Sequence, residues 1–233
     1  MTYDISLVWF RRDLRSFDHA ALYAALKESR RVHCAFVFDR EILDCLPRRY
    51  DRRVEFIWHS VRELQEELGR HGGGLSVAYG HAREEIPALA RRLKAEAVFA
   101  NHDYEPAAVA RDGAVSAALA RIGVRFITAK DQVMFEKDEI LTQAGQPFSV
   151  FTPYKNAWLK RLDGFFMQAY AVEKYFNRLA PTGGARMPAL ADIGFETTNL
   201  FELGIPPGMS GAGKLFAGFK KRMADYHLIL GGS

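Results

Sequence analysis

Five short apolar runs alternate with amphipathic stretches through the first 128 residues, and this rhythm limits the fold more than any other feature. The runs are Ile5–Phe10, Val32–Phe38, Leu75–Tyr79, Ala97–Asn101 and Val124–Thr128. Between them lie helical patterns over Ala20–Glu28, Val54–Arg70, Glu84–Lys94 and Ala107–Arg121. In the second of these Phe56, Ile57, Val61, Leu64 and Leu68 recur at helical spacing, and Gly72-Gly73-Gly74 stops it. Alternating βα units predict an α/β fold: a doubly wound, five-stranded parallel sheet of Rossmann-like type with helices on both faces.

Sheets of this kind bind ligands outside the carboxyl ends of their strands. Polar residues gather at those ends here. The first strand runs Leu7-Val8-Trp9-Phe10 and stops at once in Arg11-Arg12-Asp13-Leu14-Arg15. Asp39 and Arg40 follow the second strand, and Asn101–Glu105 the fourth. Their convergence is the case for a pocket. A plainer reading stands beside it. Arginines next to Asp13 or Asp18 orient loops through local ion pairs. Asp39, Asp103 and Glu105 suit helix N-termini, and Glu105-Pro106 is a good helix start. Phe36 and Phe38, alternating on the second strand, read alone as core.

After Thr128 the rhythm breaks. The pattern predicts a small hairpin over Val133–Thr142 around Glu136–Asp138 and a short helix over Phe151–Leu162. Gly164–Gly208 is punctuated by prolines and reads as a long connector that drapes over a surface. Lys214–Tyr226 returns to helical spacing, with Leu215, Phe216, Phe219, Met223 and Tyr226 on one side. The chain thus divides into a core over 1–132, its end over 133–163, a linker over 164–208 and one C-terminal helix within 209–233. Gly208-Met-Ser-Gly-Ala-Gly-Lys214 mimics a phosphate-binding loop. Leu215 stands where that motif needs Ser or Thr, and no strand precedes it.

Composition narrows function only a little. The formal charge of +4 permits phosphate-bearing partners without arguing for nucleic acid by itself. Cys34 and Cys45 make no disulfide framework, and Cys34 reads as a small core residue. His59, His71, His81 and His102 have no metal-type spacing. No run approaches a membrane span and no signal peptide opens the chain, so the expected location is the cytoplasm, with no membrane partner.

Several stretches together resemble the DNA photolyase/cryptochrome family. They are Trp9–Arg15 with Asp18 and Ala21-Leu22, and Phe38-Asp39 with Ile42-Leu43. Asn101-His-Asp-Tyr-Glu-Pro106, Arg111-Asp112 and Pro147-Phe-Ser-Val-Phe-Thr-Pro-Tyr-Lys-Asn-Ala-Trp158 complete the set. The resemblance covers nearly the whole chain, and the last stretch is its most specific part. It implies the N-terminal antenna domain, the interdomain linker and the first helix of the flavin domain. His19 departs from the pattern, since many relatives have Asn there. Tyr226-His227 is also not followed by the family's Arg-Asp-x-Pro run, so the remainder of the flavin domain is expected to be missing.

The activity implied for the parent protein is light-driven repair of pyrimidine dimers in DNA. An antenna passes excitation to reduced FAD, and the flavin donates an electron to the dimer. This chain alone is expected to bind an antenna chromophore and not to repair. The candidate residues are Arg11, Phe38, Asp39, Arg53, Asp103 and Glu105. The antenna implied is a deazaflavin or methenyltetrahydrofolate. Ala107 and Ala108 stand where folate-carrying relatives tend to have Asn-Glu, which weakens folate. The FAD site and the contact with UV-damaged DNA belong to the missing domain, and the C-terminal helix, left bare, favours self-association. A cryptochrome-type photoreceptor, a stand-alone nucleotide-binding protein and a non-functional fragment remain as alternatives.

Overall fold

The computed structural model describes residues 2–182 and 186–223. Its centre is a five-stranded parallel sheet in the order β3-β2-β1-β4-β5. The strands are β1 (Tyr3–Phe10), β2 (Ser29–Asp39), β3 (Leu75–Gly80), β4 (Ala97–Asn101) and β5 (Arg125–Ala129). Helices α1 (Ala20–Glu28), α2 (Arg40–Leu43), α3 (Arg52–Arg70), α4 (Ala82–Leu93) and α5 (Pro106–Arg121) connect them. Helices α6 (Phe151–Arg161) and α7 (Gly208–Met223) follow. Every strand and long helix expected from the first 128 residues is present. The short α2, made by four residues, is too brief to leave a periodic signal.

Strand alternation sorts the core onto two faces. Val8, Phe10, Phe36, Phe38 and Phe99 pack on one side with α1 and α3. Leu7, Trp9, Ala35, Val37 and Val98 pack on the other with α4 and α5. With both faces covered, the central strands are apolar throughout rather than alternating, as parallel sheets require. Cys34 is wholly buried, and burial pushes its thiol up to about 12, which leaves it an inert core residue. Among the described residues no helix is long and apolar enough to cross a membrane.

Two segments differ from expectation. Val133–Thr142 makes no hairpin; its backbone forms a single 3-10 turn over Lys137–Glu139. Glu136 and Glu139 cap one another's backbone N–H groups, a reciprocal arrangement that commits the segment to a helical turn. Four successive charged residues also offer no alternating apolar side to a sheet. Helix α7 begins at Gly208, before the predicted Lys214, so the loop-like glycine run lies inside a helix. The rest of the predicted helix, Ala224–Tyr226, and the apolar Leu228–Leu230 lie outside the described residues.

The linker packs along the α1 and α3 face. Leu179 bridges to Val32 of β2, and Ala180 N–H donates to the Val32 carbonyl at 2.8 Å. Met187, Leu190, Ile193 and Phe195 are buried in the same core as α3. The triple glycine has a second role here. Gly72 takes a left-handed φ of +77°, ending α3. Gly73 and Gly74 let the linker pass: a Cβ on Gly73 would meet Leu179 Cβ at 2.8 Å, and one on Gly74 would meet the Thr182 backbone nitrogen at 2.9 Å. At the far end of the linker, Gly208 N–H donates to Ser60 Oγ at 3.1 Å and Ser210 N–H to Glu63 Oε1 at 2.8 Å. The Glu63 carboxylate therefore sits at the N-terminus of α7, where a phosphate would sit in a true phosphate loop.

Gly74→Ala is expected to lower stability by about 1–3 kcal/mol through this overlap. Gly69→Ala, in open space on α3, is the control and is expected to be neutral or slightly stabilising. Urea unfolding reads both. Faster proteolysis within 164–208 in Gly74→Ala alone would place the damage at the linker crossing.

Candidate functional site

The chain leaves β1 to build β2 and β3 on one side, then returns to build β4 and β5 on the other. The carboxyl ends of β1 and β4 are thus the topological switch point, the expected ligand crevice of such a sheet. Most of the charged motif residues come together there.

They are bound chiefly to each other. Asn101, buried at the end of β4, donates from Nδ2 to Asp13 Oδ2 at 2.6 Å and accepts the Ala21 N–H at 2.9 Å. Asp13 accepts the Arg11 N–H at 2.8 Å and lies 2.9 Å from His19 Nε2. His19 Nδ1 accepts the Leu22 N–H at 3.1 Å. A nitrogen that accepts carries no proton, so these partners assign the neutral tautomer with its proton on Nε2, donated to Asp13. Burial pushes the Asp13 carboxyl up, but the His19 and Arg11 hydrogen bonds override it and hold the group well below the usual carboxylate range. Asp131 completes the arrangement, accepting the Ala20 N–H at 3.0 Å and the Arg15 guanidinium at 2.7 Å. The first three N–H groups of α1 are thus satisfied by Asp131, Asn101 and His19. His19 performs the capping that an Asn would perform at that position.

Arg11 is equally engaged. Its Nη1 contacts both Asp112 oxygens at 2.6 Å, its Nη2 reaches the Asn101 carbonyl, and the guanidinium stacks 4.8 Å from the Trp9 ring. Arg111 stacks on the same ring at 5.0 Å. Asp103 is nearly buried, 3.7 Å from Arg12 and 3.9 Å from Arg111. Glu105 stands at the N-cap position of α5 without capping it and pairs with Arg12 at 2.7 Å; that hydrogen bond raises the Arg12 guanidinium. What remains at the switch point is a shallow depression with no enclosed volume, lined by Arg11, Arg12, Asp13, Asn101, His102, Asp103 and Gln132. Pockets that bury a drug-sized ligand run to about 300 Å³ or more.

The other three candidates lie at the end of β2 or beyond it. Phe38 is core, edge-on to Phe36 at 4.9 Å. Asp39 caps α2 through the Glu41 N–H at 3.2 Å and approaches the Ala82 N–H of α4 at 3.4 Å. Its Oδ2 is buried without a partner, as is Nδ1 of His81 just past the end of β3. These are the two such side-chain atoms among the described residues. Arg53 is 73% exposed and folds back onto Asp51, the N-cap of α3, at 3.0 and 2.6 Å. That contact holds the Asp51 carboxyl below its usual value.

The structure therefore joins Arg11, Asp103 and Glu105 in one cluster, sets Phe38 and Asp39 at another corner, and leaves Arg53 on the surface. His19, Asp131 and His81 were not singled out as site residues. Only the departure from Asn hinted at His19. Asp131 gave no signal because its partners, Arg15 and the Ala20 N–H, are distant in sequence, and His81 gave none because no local pattern marks it.

The network's value is measurable. Asp13→Asn keeps one acceptor oxygen but turns an amide NH2 either onto the Arg11 N–H or onto the Asn101 and His19 donors, with an expected cost of about 2–4 kcal/mol. Because the folded-state Asp13 carboxyl is depressed, its contribution is present above the unfolded value of about 3.9 and fades as pH falls below it. Denaturant titrations between pH 7 and pH 2 should show that acid loss in the wild type and a shallower one in Asp13→Asn.

With this geometry, the likeness to known proteins is specific. The DNA photolyase family profile matches residues 6–174. A deoxyribodipyrimidine photo-lyase from Synechococcus is 33% identical over 229 residues, 94% of this chain and 46% of that protein. An uncharacterized 31.6 kDa protein from another Synechococcus strain is 33% identical over 225 residues, 95% of this chain and 76% of its own length. Among solved structures, a class III photolyase from Agrobacterium tumefaciens superposes with a TM-score of 0.75 at 25% identity, over 92% of this chain and 44% of that one. A Synechocystis cryptochrome matches with a TM-score of 0.73 at 19% identity, over 96% of this chain and 48% of that one, a likeness of fold. The chain spans about half the length of that curated photo-lyase and of these two structures. Profile, relatives and fold agree, and the chain belongs to the DNA photolyase family.

Proposed function

We propose that this chain is the antenna-bearing half of a protein that repairs pyrimidine dimers in DNA with light. The observation that carries the reading is the likeness to a deoxyribodipyrimidine photo-lyase across 94% of the chain, through the linker as well as the sheet. In this reading the antenna absorbs and passes on excitation, while reduced FAD and the UV-damaged DNA are held by the other half of such a protein. The outer face of α7 is the seat of that half: Leu215, Phe216, Phe219 and Met223 are all exposed. When that half is not attached, the same face is where copies of the chain associate.

The chromophore seat we propose is the corner at the ends of β2 and β3. The switch-point residues Arg11, Asp103 and Glu105 spend their charges on Asp112, Arg12 and Arg111 and leave too little room for a ring system. They act by fixing the neighbouring strand ends. At the β2 end, Asp39 Oδ2 and His81 Nδ1 are unspent, and a deazaflavin edge that both donates and accepts hydrogen bonds suits such a pair. Phe38 stays a candidate as the residue before Asp39 in β2, and Arg53 as a basic group that could exchange Asp51 for a ring oxygen. Methenyltetrahydrofolate is disfavoured by Ala107 and Ala108, which offer it no polar contact.

Incubation of the chain with the deazaflavin and, separately, with methenyltetrahydrofolate tests this by absorbance and fluorescence after gel filtration. Deazaflavin is expected to co-elute, with affinity at least about tenfold weaker in Asp39→Ala, equivalent to roughly 1.4 kcal/mol. Uptake that survives Asp39→Ala and fails in Asp103→Ala would move the seat to the switch point. No uptake of either compound would sink the antenna role for this chain.

A further inference from the structure

We infer that the groove between the C-terminal halves of α4 and α5 is a binding site for a small amphipathic carboxylate, an anion carrying a short alkyl chain. The groove has a volume of about 270 Å³ and is lined by Pro87, Ala88, Arg91, Ala118, Arg121 and Ile122. Its origin lies in the packing of the two helices. Ile86 and Ala90 of α4 and Val115 and Leu119 of α5 turn inward and are buried against the sheet. Ala88 and Ala118, which line the groove, are too small to fill the space left between the helices. Pro87 stands inside α4, where it has no N–H to give the Arg83 carbonyl and weakens the helix; its ring forms part of the wall. Both helices run against the strands, so this site lies at the amino end of the sheet. It is remote from the switch point and from the corner at β2 and β3, and it does not rest on the chromophore reading.

The charges fit an anion. The surface of the groove is apolar almost throughout. Arg91 and Arg121 therefore line it with their alkyl stems and carry their guanidinium heads to the rim, as long basic side chains do. Neither has an ion pair or side-chain hydrogen bond among the described residues, whereas Arg83 of the same helix pairs with Glu41 at 2.9 Å. The acids Glu84 and Glu85 stand in the first turn of α4, at its other end. Helix dipoles explain a base in each last turn. They do not explain why two unmatched bases flank one apolar slot. A carboxylate at the rim is attracted by both guanidinium groups, while its chain displaces water from Pro87, Ala88, Ala118 and Ile122. The volume falls short of a drug-sized ligand and suits one short chain. No aromatic side chain lines the groove, so it offers a nucleobase no stacking platform.

Alkyl carboxylates of increasing length test this, read by alanine-methyl NMR of the full chain. Octanoate is expected to shift the Ala88 and Ala118 methyl signals saturably at millimolar concentration or below. From butanoate through hexanoate to octanoate, affinity should rise by up to about fourfold per methylene, the increment for taking a CH2 group out of water. Octanol, which lacks the charge, should bind about fivefold more weakly or worse, the scale of two exposed charge contacts. Arg91→Gln/Arg121→Gln keeps much of each stem and should erase that difference while leaving octanol binding unchanged. Ala118→Phe fills the groove and should abolish uptake of both compounds; unchanged melting temperatures would confirm that the variants fold. Shifts at Ala88 and Ala118 that do not saturate, octanol binding as tightly as octanoate, or octanoate affinity untouched in Arg91→Gln/Arg121→Gln would overturn the site. Saturation at Ala217 of α7 alone would place the chain on that exposed face and overturn it equally.

Discussion

The N-terminus of α1 is the point on which the rest of the structure depends. Three consecutive N–H groups there are satisfied by side chains from three separate places: His19 beside the helix, Asn101 at the end of β4 and Asp131 after β5. Asp13, after β1, binds two of the three. Removing any one member strands a buried donor or acceptor, and in a low-dielectric interior such a loss is costly. The arrangement therefore does more than cap a helix. It fixes how far β4 may slide against β1, because Asn101 and Asp13 must meet. Arg11 extends the tie to α5 through Asp112 and to the β4 backbone through the Asn101 carbonyl.

This stability has a functional consequence. The crevice that an open α/β sheet offers to ligands is filled here by the protein's own polar groups. A chromophore bound there would have to displace charge pairs that are already matched, gaining little for each one it broke. The corner at β2 and β3 is different in kind. Asp39 reaches two helix N-termini yet leaves one oxygen unspent, and His81 beside it leaves one nitrogen unspent. Unmatched polar atoms carry a cost that a ligand can relieve, and the seat we propose rests on that difference between the two places.

What could be read from the sequence follows from the range of the interactions involved. The strands and helices through Thr128 were legible because their apolar periodicity is local. The polar cluster was legible only as a set of residues at strand ends. Whether Arg11 faces a ligand or an aspartate is settled by Asp112, 101 positions away, and Arg15 meets Asp131 at a separation of 116. No local pattern carries that information. The hairpin expected over Val133–Thr142 failed for a different, local reason: the reciprocal capping of Glu136 and Glu139, three residues apart, outweighed weak strand character. Gly73 and Gly74 read correctly as a stop, but their need to be glycine comes from Leu179 and Thr182, which pass over them from the linker.

The same logic governs α7. Its glycines look like a phosphate loop because both structures require backbone that comes very close to something else. Here Gly208 is pressed on Glu63 with a left-handed φ of +78°, and Gly211 on the Pro206 carbonyl. Close approach at one end anchors the helix through Ser60 and Glu63, while Met209 receives the Ser16 N–H at 3.3 Å. Beyond that first turn α7 buries almost nothing. Fully burying a Leu, Phe or Met is worth about 1.5–3 kcal/mol, so its four exposed apolar side chains hold a large part of the stabilisation that another surface could supply. The linker delivers the helix to α3 and fixes its start, and the free energy still to be gained lies along its outer face.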